Sequence, residues 1–285
     1  MAKKLPLGLQ DFRGLIEDGY KYVDKTPYLY RMVTSGKFFF LSRPRRFGKS
    51  LTVSTLQELF RGSRDLFKGL WIADKWDWDK LHPVIKLSLK DVNFEQRGLE
   101  EPLAERIHEL GTNHGIPLSA VTARDKLREL IVALAASGNK VVVLVDEYDA
   151  PIVHYLGKDL DQAYANRELL KGFYSVLKEL DTALELIFLT GVSKFSKTGI
   201  FSGINNLTDL SLHPDYATML GYSQEELESN FSEELEVAAQ KLALSQSELL
   251  EQMRDWYNGY RFHESSETVY NPVSINNFLD RKQFD

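Results

Sequence analysis

Short apolar runs alternate along this chain with longer segments of helical period. Residues 37–42, 83–89, 141–146, 186–191 and, less sharply, 207–212 are rich in Val, Ile, Leu and Phe. They are too continuously apolar for strands with one wet face, so they read as strands covered on both sides. Between them, residues 51–61, 99–110, 123–136 and 163–180 place apolar side chains at helical spacing. Strands alternating with helices predict an α/β fold with a mainly parallel sheet in a three-layer sandwich. From about Tyr216 the texture changes. Ser223-Gln224-Glu225-Glu226 is a capping-box start, and residues 227–253 read as two or three amphipathic helices. The division expected is residues 1–215 as an α/β core with its N-terminal segment, and 216–285 as a small helical subdomain. No internal repeat or low-complexity tract interrupts this pattern.

The first run ends in a basic loop, Arg43-Pro44-Arg45-Arg46-Phe47-Gly48-Lys49-Ser50, which opens a helical segment. Gly-Lys-Ser after a strand is the ending of a phosphate-binding loop. Backbone N–H groups at a helix N-terminus, together with the helix dipole, favour an anion there. The chain segment facing that anion would be Arg45, Arg46, Phe47, Gly48, Lys49, Ser50 and Leu51. Lys49 would reach the β- and γ-phosphates, and the hydroxyl of Ser50 would ligate Mg²⁺. Arg43 stands where the pattern G-x-x-x-x-G-K-[ST] asks for glycine, so half of that signature is met.

The run at 141–146 closes in Asp146-Glu147. Acids at the C-terminal end of a parallel strand sit where open α/β sheets place their ligands. Asp146 would hold Mg²⁺ through its water shell, and Glu147 would orient or deprotonate an attacking water. Either motif alone is as well explained by an ordinary loop or turn. Both together, in order and each on a strand end, favour a nucleotide site. Thr190 and Ser193, at the end of the strand at 186–191, are candidates to hold that water or sense the γ-phosphate, against a plain turn role after Gly191.

Charge sharpens this reading. The net charge is −6, yet residues 1–70 carry 14 Lys+Arg against 6 Asp+Glu, and the remainder 21 against 35. The basic excess surrounds the proposed phosphate loop. An acidic total argues against a dedicated DNA binder. No apolar run approaches the roughly 20 residues of a membrane span. The chain has no cysteine, which excludes disulfides and thiolate metal sites and fits a cytoplasmic location.

With these residues in view, the chain resembles the bacterial and archaeal family of predicted AAA-ATPase-like proteins. Matching text includes Leu5-Pro6-Leu7-Gly8, Tyr22-Val23-Asp24-Lys25-Thr26, the loop Arg43 to Leu51, and Val145-Asp146-Glu147-Tyr148-Asp149. Thr190-Gly191-Val192-Ser193-Lys194 and Trp256-Tyr257-Asn258-Gly259-Tyr260-Arg261-Phe262 extend it nearly to the end. The resemblance implies a P-loop ATPase fold of the additional-strand type, with ATP and Mg²⁺ as ligands and Walker A and Walker B elements in the two motifs above. It implies Lys49, Glu147 and Ser193 as catalytic groups, with Ser50 and Asp146 on the metal. Family members often carry a C-terminal PD-(D/E)xK nuclease-like domain. This sequence contains no Glu-x-Lys, and its one Asp-x-Lys is Asp280-Arg281-Lys282 at the end, so that domain is expected to be missing and the chain looks cut where it would begin.

Other candidates carry two readings each. Arg43, Arg45 and Arg46 would contact phosphate or pair with acids. Phe12, Tyr20 and Tyr22 would stack on adenine or pack in the core, with Asp24 and Lys25 turning the chain. The aromatics of 256–262 would stack on bases or form a docking turn. Lys194 would report on phosphate or lie in solvent. The leading expectation is a Mg²⁺-dependent ATPase that couples nucleotide state to conformational change. The alternatives are a nucleotide-gated interaction module with negligible hydrolysis and a nucleic-acid-binding regulator. Partners expected are ATP, a protein or the missing nuclease-like domain, with oligomers allowed.

Overall fold

A computed structural model describes residues 3–194, 200–201 and 206–284; Met1, Ala2 and Asp285, at the two ends read in the sequence, fall outside. The strands are β1 (Phe38–Ser42), β2 (Val84–Ser88), β3 (Val141–Asp146), β4 (Leu184–Gly191) and the two-residue β5 (Thr208–Asp209). They form one sheet in the order β2-β3-β4-β1-β5, and every pairing is parallel. The strand inserted between the phosphate-loop strand and the acid-tipped strand is therefore β4. The expected α/β sandwich of the additional-strand type is what forms.

The helices lie on both faces. Before β1 run α1 (Phe12–Glu17) and α2 (Thr26–Ser35), and after it α3 (Lys49–Phe60). Between β2 and β3 come α4 (Phe94–Arg97), α5 (Glu100–Asn113) and α6 (Ala123–Ala135). The crossover from β3 to β4 contains α7 (Ala150–Val153) and α8 (Leu160–Glu179). Alternate strand residues sort cleanly onto two cores. Phe38, Phe40, Ile85, Leu87, Val141, Val143, Val145, Ile187 and Leu189 pack with α5, α6 and α8. Phe39, Leu41, Val84, Val142, Leu144, Leu186 and Phe188 pack on the α2 and α3 side. Period-two alternation between two covered faces is why the runs look uniformly apolar in sequence. A bulge at Glu185 resets the phase of β4: Val141 pairs with Leu184, but Val142 pairs with Leu186.

The chain then enters α9 (Gln224–Asn230), α10 (Ser232–Leu242), α11 (Gln246–Tyr257) and α12 (Pro272–Arg281). Both halves of the capping box at Ser223 and Glu226 are made. These helices enclose a separate apolar cluster that includes Leu227, Phe231, Leu235, Met253, Ile275 and Phe278, and Val23 of the N-terminal segment joins it. Two ammonium groups of that segment reach the same helices. Lys25 Nζ lies 2.6 Å from Glu226 Oε1, and Lys21 Nζ lies 2.7 Å from Glu234 Oε2. Glu226 thus caps α9 and receives Lys25 at once.

Candidate functional site

Parallel pairing brings the C-terminal ends of β1, β2, β3 and β4 to one edge. Ser42 pairs with Gly191, Leu41 with Thr190, and Ser88 with Asp146. At this edge β1 passes into the loop at 43–48 and then into α3. Gly48 sits in the left-handed region at φ 96° and no side chain caps α3. The uncapped first turn carries no acidic residue. A twelve-residue helix that opens without a cap leaves backbone N–H groups unpaired toward the loop, which suits an anion such as a phosphate. Arg46 is also left-handed, at φ 69°, whereas Arg43 is not. Glycine freedom is therefore not required at position 43.

Lys49 is 6% exposed, and its ammonium donates to the carbonyls of Arg43 (2.8 Å) and Pro44 (2.9 Å). The loop is curled around it. Burial pulls its pKa down, while Asp146, Glu147 and Asp149 oppose that pull. The ammonium is thus held among acids beneath the loop.

The three guanidinium groups separate. Arg43 is 1% exposed and points away from the loop. It donates to the carbonyls of Ser42, Ser211 and Tyr216 and lies 3.9 Å from the centre of the Phe262 ring. Burial lowers its pKa to about 10 against the opposing charge of Asp209. Neither expected role, phosphate contact nor pairing with an acid, describes it: it bonds backbone carbonyls. Arg45 and Arg46 are exposed and line the cavity beside the loop.

That cavity encloses about 1350 Å³. Arg45, Arg46, Phe47, Gly48, Lys49, Ser50, Leu51 and Glu147 all line it. Residues 6–10 of the N-terminal segment wall it on one side, and Met219 to Tyr222 with Pro272 and Asn276 close another. Phe47 contributes little more than backbone. Its ring is buried, with centroids 4.7 Å from Tyr260 and 5.5 Å from Phe262. Tyr260 and Phe262 of the aromatic segment thus dock the helical region onto the loop at 43–48. Phe12 is fully buried against Tyr22 and Phe67, and the Lys4 ammonium lies over Tyr20. Tyr22 reaches the cavity edge from this packed position. Asp24 turns the chain, accepting from the N–H groups of Thr26 (2.9 Å) and Trp71 (2.6 Å).

Asp146 is 6% exposed and accepts the hydroxyl proton of Thr190 and the N–H of Glu147 (3.0 Å). Glu147 is a non-glycine residue at φ 50°. Burial raises its pKa, with Lys90 the largest opposing charge. Asp146 and Ser193 stand behind the cavity wall, where Glu147 and Val192 are the lining residues. Ser193 has its N–H on Asp149 (2.6 Å) and its carbonyl on the Tyr148 hydroxyl (3.0 Å). The side-chain contact to Asp146 from β4 is made by Thr190. Lys194 turns outward to Asp209, at 2.7 Å. In the sequence Asp149 stands only within the stretch 145–149 that carries the family resemblance; its burial at 1% exposure follows from its packing against the exit of β4, which no local pattern reveals. Among the described residues no cluster of three or more His, Asp or Glu is close enough to hold a metal. A Mg²⁺ carried chiefly by phosphate oxygens and water, with one hydroxyl and one carboxylate nearby, does not need one.

The family model for predicted AAA-ATPases matches residues 6–201. The chain belongs to the predicted AAA-ATPase family. No nuclease-like domain is present among the described residues. A protein of Azotobacter chroococcum mcd 1, described as an uncharacterized protein in the vnfD 5′ region, is 41% identical over 285 residues. That match covers 99% of this chain and 53% of the relative, so the chain spans about half the length of the curated relative it matches. Among solved structures, the Aeropyrum pernix ORC2 protein in ADPNP–ADP complexes aligns with a TM-score of 0.43 at 14% identity, over 99% of this chain and 71% of its own. The ORC1 protein of the same organism, in complex with DNA, aligns with a TM-score of 0.41 at 10% identity, over 97% and 66%. These superpositions are too loose to carry residue correspondences. Strand order and the family match give this chain an α/β fold of the P-loop ATPase type. No helix among the described residues is long and apolar enough to cross a membrane.

Proposed function

We propose that this chain binds Mg²⁺–ATP in the cavity beside α3 and hydrolyses it, passing the change of nucleotide state to helices α9–α12. One observation carries the reading. An uncapped helix N-terminus with Lys49 beneath its loop shares one cavity with Glu147, a half-buried carboxylate at the end of the acid-tipped strand. In this reading the N–H groups of residues 47–51 and the Lys49 ammonium hold the β- and γ-phosphates, with Arg45 and Arg46 adding charge at the mouth. Ser50 and Asp146 would hold Mg²⁺, which when bound neutralises charge developing on the phosphate oxygens. Glu147 orients the attacking water and takes its proton; its raised pKa, caused by burial, makes it a better base than a solvated glutamate. The polar end of β4, Thr190 and Ser193, would register the γ-phosphate. Residues 1–215 would serve as the catalytic core and 216–285 as the responding helical part, joined through Phe47, Tyr260 and Phe262.

The test pairs two variants with wild type. Isothermal titration with Mg²⁺–ATP should give binding that Lys49→Ala abolishes. Turnover should fall by about 10²–10⁴-fold in Glu147→Gln while titrated affinity is kept. Binding without turnover in wild type would leave a nucleotide-gated module; no binding by folded wild type would remove the ATP site altogether.

A further inference from the structure

We propose that Asp149 is a positioning residue: it clamps the exit of β4 to the Glu147 turn and so sets where Thr190, Asp146 and Glu147 stand relative to the nucleotide. This rests on the ATPase reading of the same cavity. Asp149 lines that cavity, yet its carboxylate is turned into the protein. Its Oδ2 accepts from the N–H groups of both Val192 (3.1 Å) and Ser193 (2.6 Å). The neighbouring Tyr148 holds the same stretch, with its N–H on the Thr190 carbonyl (2.9 Å) and its hydroxyl on the Ser193 carbonyl (3.0 Å).

The fit between the two stretches is tight. A Cβ on Gly191 would lie 2.5 Å from Tyr148 Cε1 and 2.7 Å from Asp149 Oδ1. On its other side the same segment is tied to the phosphate loop: the Arg43 N–H donates to the Gly191 carbonyl (3.2 Å), and the Ser42 hydroxyl donates to the Val192 carbonyl (3.1 Å). Residues 190–193 are thus a shim between the loop that would hold phosphate and the turn that carries the base. Thr190, at its head, holds Asp146.

The chemistry of the clamp asks for a carboxylate. Two converging N–H donors need acceptor lone pairs on one oxygen with no proton in the way; burial raises the pKa of this carboxyl, and the two donors oppose that rise. Asparagine keeps one oxygen that accepts both N–H groups, but it lacks the charge that strengthens those bonds and sets an NH₂ group where Oδ1 now lies 3.4 Å from the Val192 nitrogen. A purely structural Asp149 would cost stability alone. A positioning Asp149 lowers turnover while sparing binding, because the phosphate loop keeps its own contacts.

The experiment compares wild type, Asp149→Asn, Gly191→Ala and the double variant in the full chain. Turnover and Mg²⁺–ATP affinity are measured together, with hydrogen exchange of the peptide spanning residues 186–194 in nucleotide-free protein. Asp149→Asn should raise exchange at residues 192 and 193 and lower kcat roughly 10–100-fold, the effect of misplacement by about an ångström. Affinity should stay within about threefold, and the double variant should be no worse than the more severe single change. Gly191→Ala reaches the same contact from the opposite side, so the test stands if one variant fails to fold. Unchanged exchange, unchanged kcat, or kcat and affinity falling together would overturn the role of Asp149. If wild type neither binds nor turns over ATP, the ATPase reading and the positioning role fall together; raised exchange in Asp149→Asn would then identify the clamp as a structural contact only.

Discussion

Restoring glycine at position 43 separates the sequence pattern from the structure. The pattern G-x-x-x-x-G-K-[ST] favours Arg43→Gly as an improvement of the loop. The geometry predicts damage instead. Arg43 donates to three backbone carbonyls and stacks on Phe262. Hydrogen bonds from a charged donor contribute about 1.5–3 kcal/mol each, and a desolvated cation–π contact about 2 kcal/mol. Against them stands the desolvation that lowers its pKa to about 10, roughly 3 kcal/mol on the charged form. Removing the guanidinium strands the carbonyls it holds, at about 1–3 kcal/mol for each that stays buried, so a net cost of about 3–5 kcal/mol is expected. Glycine adds roughly 0.5–1 kcal/mol of chain entropy. At about 2–4 °C per kcal/mol for a chain of this order, the melting temperature should fall by roughly 10 °C or more. Calorimetry measures that fall, and titration with Mg²⁺–ATP well below the melting point should find affinity nearly kept. Arg43→Lys, which retains charge but not the planar fork, should fall between. A variant that melts within about 2 °C of wild type yet no longer binds nucleotide would refute the reasoning and return Arg43 to the phosphate.

Phe47→Ala removes a buried ring wedged against Tyr260 and Phe262, so it should cost about 3–5 kcal/mol in urea unfolding and loosen residues 256–262 in hydrogen exchange. Asp24→Ala frees the N–H groups of Thr26 and Trp71 and should cost about 1–2 kcal/mol, read as a lower urea midpoint. Asp209 is a pH case. Burial alone would raise its pKa, but hydrogen bonds from Lys194 and Ser211 outweigh this and hold it below the usual carboxylate value of 3.8. The folded state therefore binds its proton less readily than the unfolded chain, and stability from this group is present above that value and lost as pH falls through the lower folded pKa. Asp209→Asn should lower stability near neutrality by up to about 1 kcal/mol, and the gap should close in melts taken below pH 3.8.

Strand positions were legible because each run is covered on both faces. The run at 141–146 matches β3 residue for residue. The run at 186–191 starts two residues late, since the bulge at Glu185 breaks the alternation that would have extended it to Leu184. The loop and the acid-tipped strand were readable as local text, and their shared edge followed from parallel pairing. What local text did not carry was direction. Whether Arg43 faces phosphate or interior depends on Ser211, Tyr216 and Phe262, far along the chain. Likewise Thr190 and Ser193 are equal candidates in sequence, and only the register of β4 against β3 puts the hydroxyl of Thr190 on Asp146. Phe47 looks like part of a ligand loop until Tyr260 and Phe262 are brought beside it.

Arg46 and Glu147, at φ 69° and 50°, line the same cavity in a conformation that costs a side-chain-bearing residue roughly 1–2 kcal/mol each. Selection for heat resistance alone would drive both codons toward glycine or asparagine. Each such step would remove a charge from the lining of the cavity, so a library sorted only by survival at high temperature should accumulate sturdy proteins with a disarmed pocket.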